Sequence, residues 1–207
     1  MEGEGVSFDQ LHSVLGQFKD CHVHVLGDTI VDSYVYGSLI GGTVKTPTFS
    51  IKHESQVDYP GGAAVVSKHM RLAGAQVRFS TVMGDDAMKT FVMDDLEAHG
   101  IECQVFVDHT RPTTQKTTFT AGGYRMLKVD KLDNRPVSDR ILEQLKECLA
   151  ASQTDAFVFS DFRHGIFSRH SIPELTQSLP IGVLRVADSQ VANRWGNILD
   201  FQGFERH

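Results

Sequence analysis

The chain has 207 residues, of which 41% are hydrophobic and 22% are charged, which is enough to bury a sizeable globular core. Its net charge is −6 and no basic block occurs, so we expect no nucleic-acid partner. No apolar stretch approaches the ~20 residues that cross a membrane, the acidic N-terminus is unlike a signal peptide, and the three cysteines lack metal-ligand spacing. We therefore expect a cytoplasmic protein with no membrane contact and no structural metal.

The first expected element is a helix over 7–19, because apolar residues recur there at helical spacing. A buried strand over 23–26 follows. From 34 to 58, aromatic and β-branched residues alternate with polar ones and glycines intervene, which is typical of antiparallel ribbon. A second ribbon is expected over 113–129, with Gly122 and Gly123 as its turn.

The rest of the chain alternates between strand and helix patterns. Helices are expected over 63–73, 85–99, 138–151 and 168–178, and strands over 77–82, 103–107, 157–159 and 183–186. The connection 188–201 is expected to hold at most a helical turn. This alternation predicts an α/β fold with a mostly parallel, doubly wound sheet, forming a single domain over 1–207.

Two short stretches indicate a site for a small polar ligand. Asp28 and Asp32 follow the first strand, and Gly61 and Gly62 open the helix that begins near Ala63. Paired glycines let a backbone approach a ligand closely, and a helix N-terminus offers N–H donors. Carboxylates accept hydrogen bonds from hydroxyl groups, although Asp28 could equally cap the turn that follows it.

Further polar residues follow later strands. Asp161 and Asp188 come after predicted strands, so with Asp32 they are expected to converge on one rim of the sheet. Arg163 lies beside Asp161 and could reach a phosphate, as could Arg125 and Lys128 on the second ribbon. The alternative for the ribbon cations is protection of an exposed sheet edge.

Six segments, in this order, resemble the ribokinase/PfkB family of carbohydrate kinases, and most of all its heptose-7-phosphate kinase domains of lipopolysaccharide and ADP-heptose synthesis. They are 25–37 (VLGDTIVDSYVYG), 60–64 (PGGAA), 81–86 (TVMGDD), 126–130 (MLKVD), 159–165 (FSDFRHG) and 187–201 (ADSQVANRWGNILDF). The resemblance implies a ribokinase-like fold whose ribbons form a small antiparallel β lid over the sugar and pair two subunits as a homodimer. It also implies an ATP-dependent phosphotransferase that uses Mg²⁺ and acts on a sugar phosphate.

The resemblance also assigns roles to residues. It makes Asp28, Asp32, Gly61, Gly62, Ala63, Arg125, Lys128, Asp161 and Arg163 substrate-binding residues, and it places Asp188 on the nucleotide side. No catalytic residue is expected within the 207 residues, because the resemblance places the family's Gly-Ala-Gly-Asp anion hole and catalytic Asp in a C-terminal third that would lie beyond His207. The fold is therefore expected to be a truncated one and the chain alone inactive.

Three departures from the family pattern support an alternative. Val65 stands where an Asn is usual, His164 where a basic residue is usual and Gln190 where a Lys is usual. The expected lack of the family's C-terminal third favours a fragment of a longer kinase, whereas these three departures favour a non-catalytic relative that binds a sugar phosphate or a protein. A dinucleotide-binding oxidoreductase is less well supported, because GDTIVD rather than GxGxxG follows the first strand.

Overall fold

The computed structural model describes residues 7–41, 48–190 and 198–206. The strands are β1 (His22–Gly27), β2 (Thr29–Leu39), β3 (Ile51–Gly62), β4 (Gln76–Met83), β5 (Glu102–Val107), β6 (Gln115–Ala121), β7 (Tyr124–Lys131), β8 (Ala156–Asp161), β9 (Leu184–Ser189) and β10 (Glu205–Arg206). The helices are α1 (Phe8–Gln17), α2 (Ala63–Leu72), α3 (Ala87–Ala98), α4 (Asp139–Ala150) and α5 (Ser171–Gln177). Short 3₁₀ turns span Phe18–Asp20 and Ile198–Asp200.

Some sequence-based expectations fall on residues that the structure does not describe. Residues 42–47 of the first predicted ribbon and residues 191–197 of the predicted connection lie outside the described residues. His207, beyond which the resemblance places the catalytic Asp and the anion hole, lies outside them as well. The expected position of the catalytic segment beyond His207 is therefore an untested prediction.

The main sheet is wholly parallel, in the order β10-β9-β8-β1-β4-β5. Side chains of successive residues alternate between its two faces. Val25 of β1 packs in the core shared with α2 and α3, whereas the next residue, Leu26, packs in the core shared with α4 and α5. Helices therefore cover both faces, which confirms the predicted doubly wound α/β architecture.

The order of strands reverses beside β1. The chain first builds β1, β4 and β5 outwards, then crosses back through α4 to place β8 on the other side of β1. In sheets of this kind ligands bind at the carboxyl ends of the strands where the order reverses. Asp28, directly after β1, and Asp161, the last residue of β8, lie at this point.

A second sheet contains β3, β2, β6 and β7, in that order, and we call it the lid. The prediction of an antiparallel lid was wrong in one respect, because β2 and β6 pair in parallel while the two outer pairs are antiparallel. Both inner strands leave the main sheet, after β1 and after β5, and they run side by side in the same direction. The strands that lead back to the main sheet, β3 and β7, therefore lie at the outer edges of this mixed sheet.

Helix α1 forms where the sequence predicts it, with a capping box between Ser7 and Gln10. Its apolar side chains nevertheless stay exposed, with Phe8 73% accessible. Helical periodicity therefore predicted the element correctly but not its burial. Within the described residues, no helix is both long enough and apolar enough to cross a membrane.

Candidate functional site

A cleft of about 330 Å³ opens on one face of the lid, and we call it the lid cleft. It is lined by Asp32 and Tyr34 from β2, Thr118 from β6, and Arg125, Leu127 and Lys128 from β7, among others. Tyr34 lies opposite Thr118 and Thr118 opposite Lys128, so these positions share one face of the sheet. The structure thus brings together three predicted substrate-binding residues: Asp32, Arg125 and Lys128.

A bulge in β7 places Arg125 in this cleft. Residues three apart on a regular strand point to opposite faces. The register shifts between Phe119 and Thr120, so that Thr120 pairs with Arg125 while Thr118 pairs with Lys128. The extra residue lets both cations face the cleft.

The Asp32 carboxyl is half-buried between charges of both signs. Burial raises its pKa, the Lys128 and Lys116 ammonium groups lower it, and Asp130 raises it. Lys116 in turn pairs with Asp130, with 3.5 Å between Nζ and Oδ2. Asp32 is therefore an accessible acceptor beside cations, which suits a ligand that carries both hydroxyl groups and negative charge.

The paired glycines pack against the segments that carry Asp32 and Asp28, rather than bordering open space for a ligand. A Cβ on Gly61 would collide with Oδ2 of Asp32, and one on Gly62, whose φ is +60°, would collide with the backbone oxygen of Asp28. The N–H of Ala63, at the start of α2, donates to that same oxygen at 3.0 Å. The glycines thus let β3 and α2 pack against the two carboxylate positions, and their contact with a ligand stays a prediction.

Asp28 holds a loop rather than facing a cleft. It is 2% exposed, its Oδ2 accepts from the N–H groups of Phe162 at 3.0 Å and His164 at 3.1 Å, and its Oδ1 accepts from Ile166 at 3.4 Å. Burial raises the pKa of this carboxyl to about 6, although the loop amides counteract the rise. This geometry favours the capping alternative and gives no support to direct sugar contact.

Asp161 and Arg163 form an ion pair with each other. Asp161 is fully buried and accepts from the backbone N–H and the Nε of Arg163, both at 2.8 Å, and from Ser189 at 2.9 Å. Arg163 also donates from Nη2 to Asp200 at 2.7 Å. Both charges therefore pair with protein groups at the rim of the sheet, and their predicted contact with substrate is untested.

Asp188, predicted on the nucleotide side, lies opposite Ser160 of β8, and its oxygens accept from the Gln190 amide at 2.8 and 2.9 Å. In the part of the chain that is described, no group of three or more His, Cys, Asp or Glu side chains could hold a metal ion. These residues alone do not fit a Mg²⁺ site, because hard cations prefer several oxygen ligands. Asp188 could supply one of them.

The structure gives the surroundings of Val65 and His164, two of the three departures from the family pattern. Val65 is 37% exposed on α2 and offers no hydrogen-bonding group. Burial, followed by the charge of Lys116, lowers the pKa of His164 to about 4, and its Nδ1 lies 2.7 Å from Oδ1 of Asn134. His164 is therefore neutral at physiological pH and does not replace a basic side chain.

The sequence did not reveal the importance of Arg111. Its side chain is only 7% exposed and pairs with Asp108 through Nε, 2.7 Å from Oδ2. Its two terminal nitrogens donate to three backbone oxygens, those of Arg135, Pro136 and His164. An arginine before a proline in a loop is usually exposed, so nothing in the local pattern indicated this burial.

Comparisons with known proteins place this fold in a family. The sequence profile described as "pfkB family carbohydrate kinase" matches residues 22–176. A "Bifunctional protein HldE" from Caulobacter vibrioides is 33% identical over 162 residues, which are 77% of this chain and 33% of that protein. Another from Marinomonas sp. is 30% identical over 151 residues, 72% of this chain and 31% of that protein.

Solved structures share the fold. A carbohydrate kinase from Agrobacterium tumefaciens superposes with a TM-score of 0.64 at 17% identity, covering 81% of this chain and 53% of that one. Phosphofructokinase-2 from Escherichia coli, in complex with substrates and products, gives 0.64 at 15% identity, covering 82% and 54%. The chain thus spans about a third of the length of these curated relatives and about half of these solved kinases.

Proposed function

The chain belongs to the pfkB family of carbohydrate kinases, and from this premise we propose that it carries the sugar-binding part of a kinase for a sugar phosphate of the heptose 7-phosphate type. The observation that carries the proposal is the lid cleft, in which Asp32 lies with Arg125 and Lys128. A sugar phosphate presents hydroxyl groups and a dianion, and these residues match both.

Each residue of the cleft has a separate task. The Asp32 carboxylate accepts hydrogen bonds from sugar hydroxyl groups and so orients the acceptor. Arg125 can hold a phosphate bidentately, whereas Lys128 acts as a point charge. ATP, bound with Mg²⁺, would supply the phosphoryl group.

We propose that the 207-residue chain alone does not complete this transfer. Phosphoryl transfer needs charge stabilisation on the transferred group and a base near the acceptor hydroxyl. The match to about half of each solved kinase suggests that further structure supplies these groups.

A non-catalytic relative that binds a sugar phosphate or a protein is the second candidate. Val65 has no polar group, and His164 is neutral where a cation is usual. Sugar-dependent ADP production by the 207-residue chain would exclude this candidate. The same result would contradict our proposal that the chain is inactive alone.

We also propose a cytoplasmic protein that forms a homodimer through the lid. Cys21, Cys103 and Cys148 are all free thiols, which suits a reducing compartment. Both outer strands of the lid expose apolar side chains, including Tyr59 on β3 and Leu127 on β7. Unpaired strand edges of this kind favour pairing with another copy.

The cleft is tested by calorimetric titration with a heptose 7-phosphate and with the free heptose. Asp32→Asn should weaken both ligands roughly 5- to 150-fold, because a buried polar group left unpaired costs about 1–3 kcal/mol. Lys128→Ala should weaken only the phosphorylated ligand. Asp58→Asn and Lys52→Ala on β3 change the same residue types outside the cleft and should bind as the wild type does. Equal binding by Asp32→Asn and the wild type would refute the assignment.

A further inference from the structure

Asp28 links the loop 162–166 to the two lid connections on either side of β2 and β3. Asp28 is the single residue between β1 and β2, and its carboxylate accepts from three alternate backbone amides of this loop. The backbone oxygen of Asp28 binds the N–H of Ala63, where the chain passes from β3 into α2. One residue thus ties both ends of the first lid hairpin to the loop.

The same loop contacts the connections on either side of β6 and β7. Arg111 lies between β5 and β6, and its Nη1 donates to the backbone oxygen of His164 at 3.4 Å and to that of Arg135 at 3.0 Å. Its Nη2 donates to the oxygen of Pro136 at 3.2 Å. Arg135 and Pro136 lie between β7 and α4.

Two further bonds join the loop to the connection after β7. The N–H of Val137 donates to the oxygen of Gly165 at 3.0 Å, and Nδ1 of His164 lies 2.7 Å from Oδ1 of Asn134. In the described part of the chain, four connections join the lid to the main sheet, and each is bonded to the loop directly or through Asp28. Movement of the lid relative to the main sheet must strain or break some of these bonds.

We propose that the loop 162–166 is the point about which the lid moves, and we call this loop the hub. Asp28 and Arg111 are positioning residues, and through their hydrogen bonds a ligand in the lid cleft reduces the motion of the loop. A guanidinium can bond three carbonyl oxygens and a carboxylate at once because its five donors form a rigid fork. The Asp28 carboxylate can serve three amides because each oxygen has two acceptor sites. Ligand binding in the lid cleft then reduces the mobility of the lid and of the rim of the main sheet together. The ligand-dependent part of this proposal rests on the proposed function.

Hydrogen–deuterium exchange resolved to single amides tests the hub without ligand. Asp28→Asn keeps the shape but replaces one acceptor oxygen with a donor, and Arg111→Lys keeps the charge but loses the fork. Each variant should speed exchange at Phe162, His164, Ile166 and Val137 by tenfold or more relative to the amides of β4. Asp58→Asn in the lid and Arg140→Lys on the exposed face of α4 are the matched controls and should leave these four amides unchanged.

A merely structural role would give a different pattern. If the variants only destabilise the fold, exchange at the loop and at β4 should rise by the same factor, and that result would overturn the hub. In the ligand arm, a heptose 7-phosphate should slow exchange in the lid strands and in the loop of the wild type, but only in the lid strands of Arg111→Lys. Loop protection that persists in Arg111→Lys would also overturn it. If the wild type binds no heptose 7-phosphate, the result counts against the proposed function. The exchange measurements without ligand still test whether the loop acts as the hub.

Discussion

Among single residues, His24 links the stability of the main sheet to pH. It is fully buried on β1, and its ring nitrogens each lie 2.9 Å from a hydroxyl oxygen, that of Ser152 on one side and that of Ser80 on the other. The ring also packs on Phe157, with 5.3 Å between centroids. Burial, with a smaller effect from Arg78, lowers the pKa of His24 from 6.5 to about 4. The neutral ring is therefore the form that the folded state accommodates.

The resulting pH dependence has a definite sign. Between pH 4 and 6.5 the unfolded chain binds a proton at His24 that the folded chain does not, so the free energy of unfolding falls as pH falls through this window. The full effect is about 3 kcal/mol, from roughly 1.4 kcal/mol per pKa unit. Urea unfolding at pH 5 and pH 7.5 should show a smaller pH-dependent loss of stability in His24→Gln than in the wild type.

Other groups, including Asp28, Asp32 and His164, also contribute to the profile, so the comparison with a variant is needed. The raised pKa of Asp28 makes stability fall as pH rises from about 4 to 6, opposite to His24, whereas the lowered pKa of His164 acts in the same direction as His24. His12→Gln, on the exposed helix α1, is the matched control and should keep the wild-type profile. An identical loss of stability in His24→Gln and the wild type would show that His24 does not titrate as described.

The sequence predicted the types of chemical group at the site better than their partners. It placed Asp28, Asp161 and Asp188 at strand ends, where the structure has them, but left open whether Asp28 binds ligand or caps a turn. That question depends on residues more than 130 positions away, such as Phe162 and His164. Arg111 was missed for the same reason, because its acceptors are backbone oxygens that carry no sequence signal.

For the secondary-structure elements, local periodicity predicted nearly every helix and strand. Pairing between distant strands was harder to predict. The parallel pair of β2 and β6 joins residues about 80 positions apart, and neither strand carries a pattern that specifies its neighbour. The bulge that turns Arg125 towards the cleft could not be predicted from the sequence either, because it depends on the register between β7 and β6.

The exposed edges of the lid predict self-association. Static light scattering at micromolar concentration should give the mass of two chains, and a Lys substitution at Val129 of β7 or Tyr59 of β3 should lower it towards one, because an edge charge opposes strand pairing. Leu72→Lys is the control, since Leu72 is exposed on α2 outside the lid. A monomeric mass for the wild type would contradict the dimer.

At the scale of the whole molecule, the described residues form two sheets joined by four short connections that meet at one loop. The alternation of strands and helices was sufficient to predict a doubly wound parallel sheet. It could not give the strand order, because the return of the chain through α4 to the other side of β1 depends on packing over the whole sheet. That return places β8 beside β1, and hence the loop 162–166 against Asp28.

The most direct test of the account is thermal unfolding of the 207-residue chain with a heptose 7-phosphate, with and without Mg-ATP. At about 100 times its dissociation constant a bound ligand stabilises the folded state by about 2.7 kcal/mol, which is readily measured. We expect the sugar phosphate to raise the Tm of the wild type more than that of Asp32→Asn, and Mg-ATP alone to have little effect. No rise in the wild type, or an equal rise in Asp32→Asn, would contradict a sugar-phosphate site in the lid cleft.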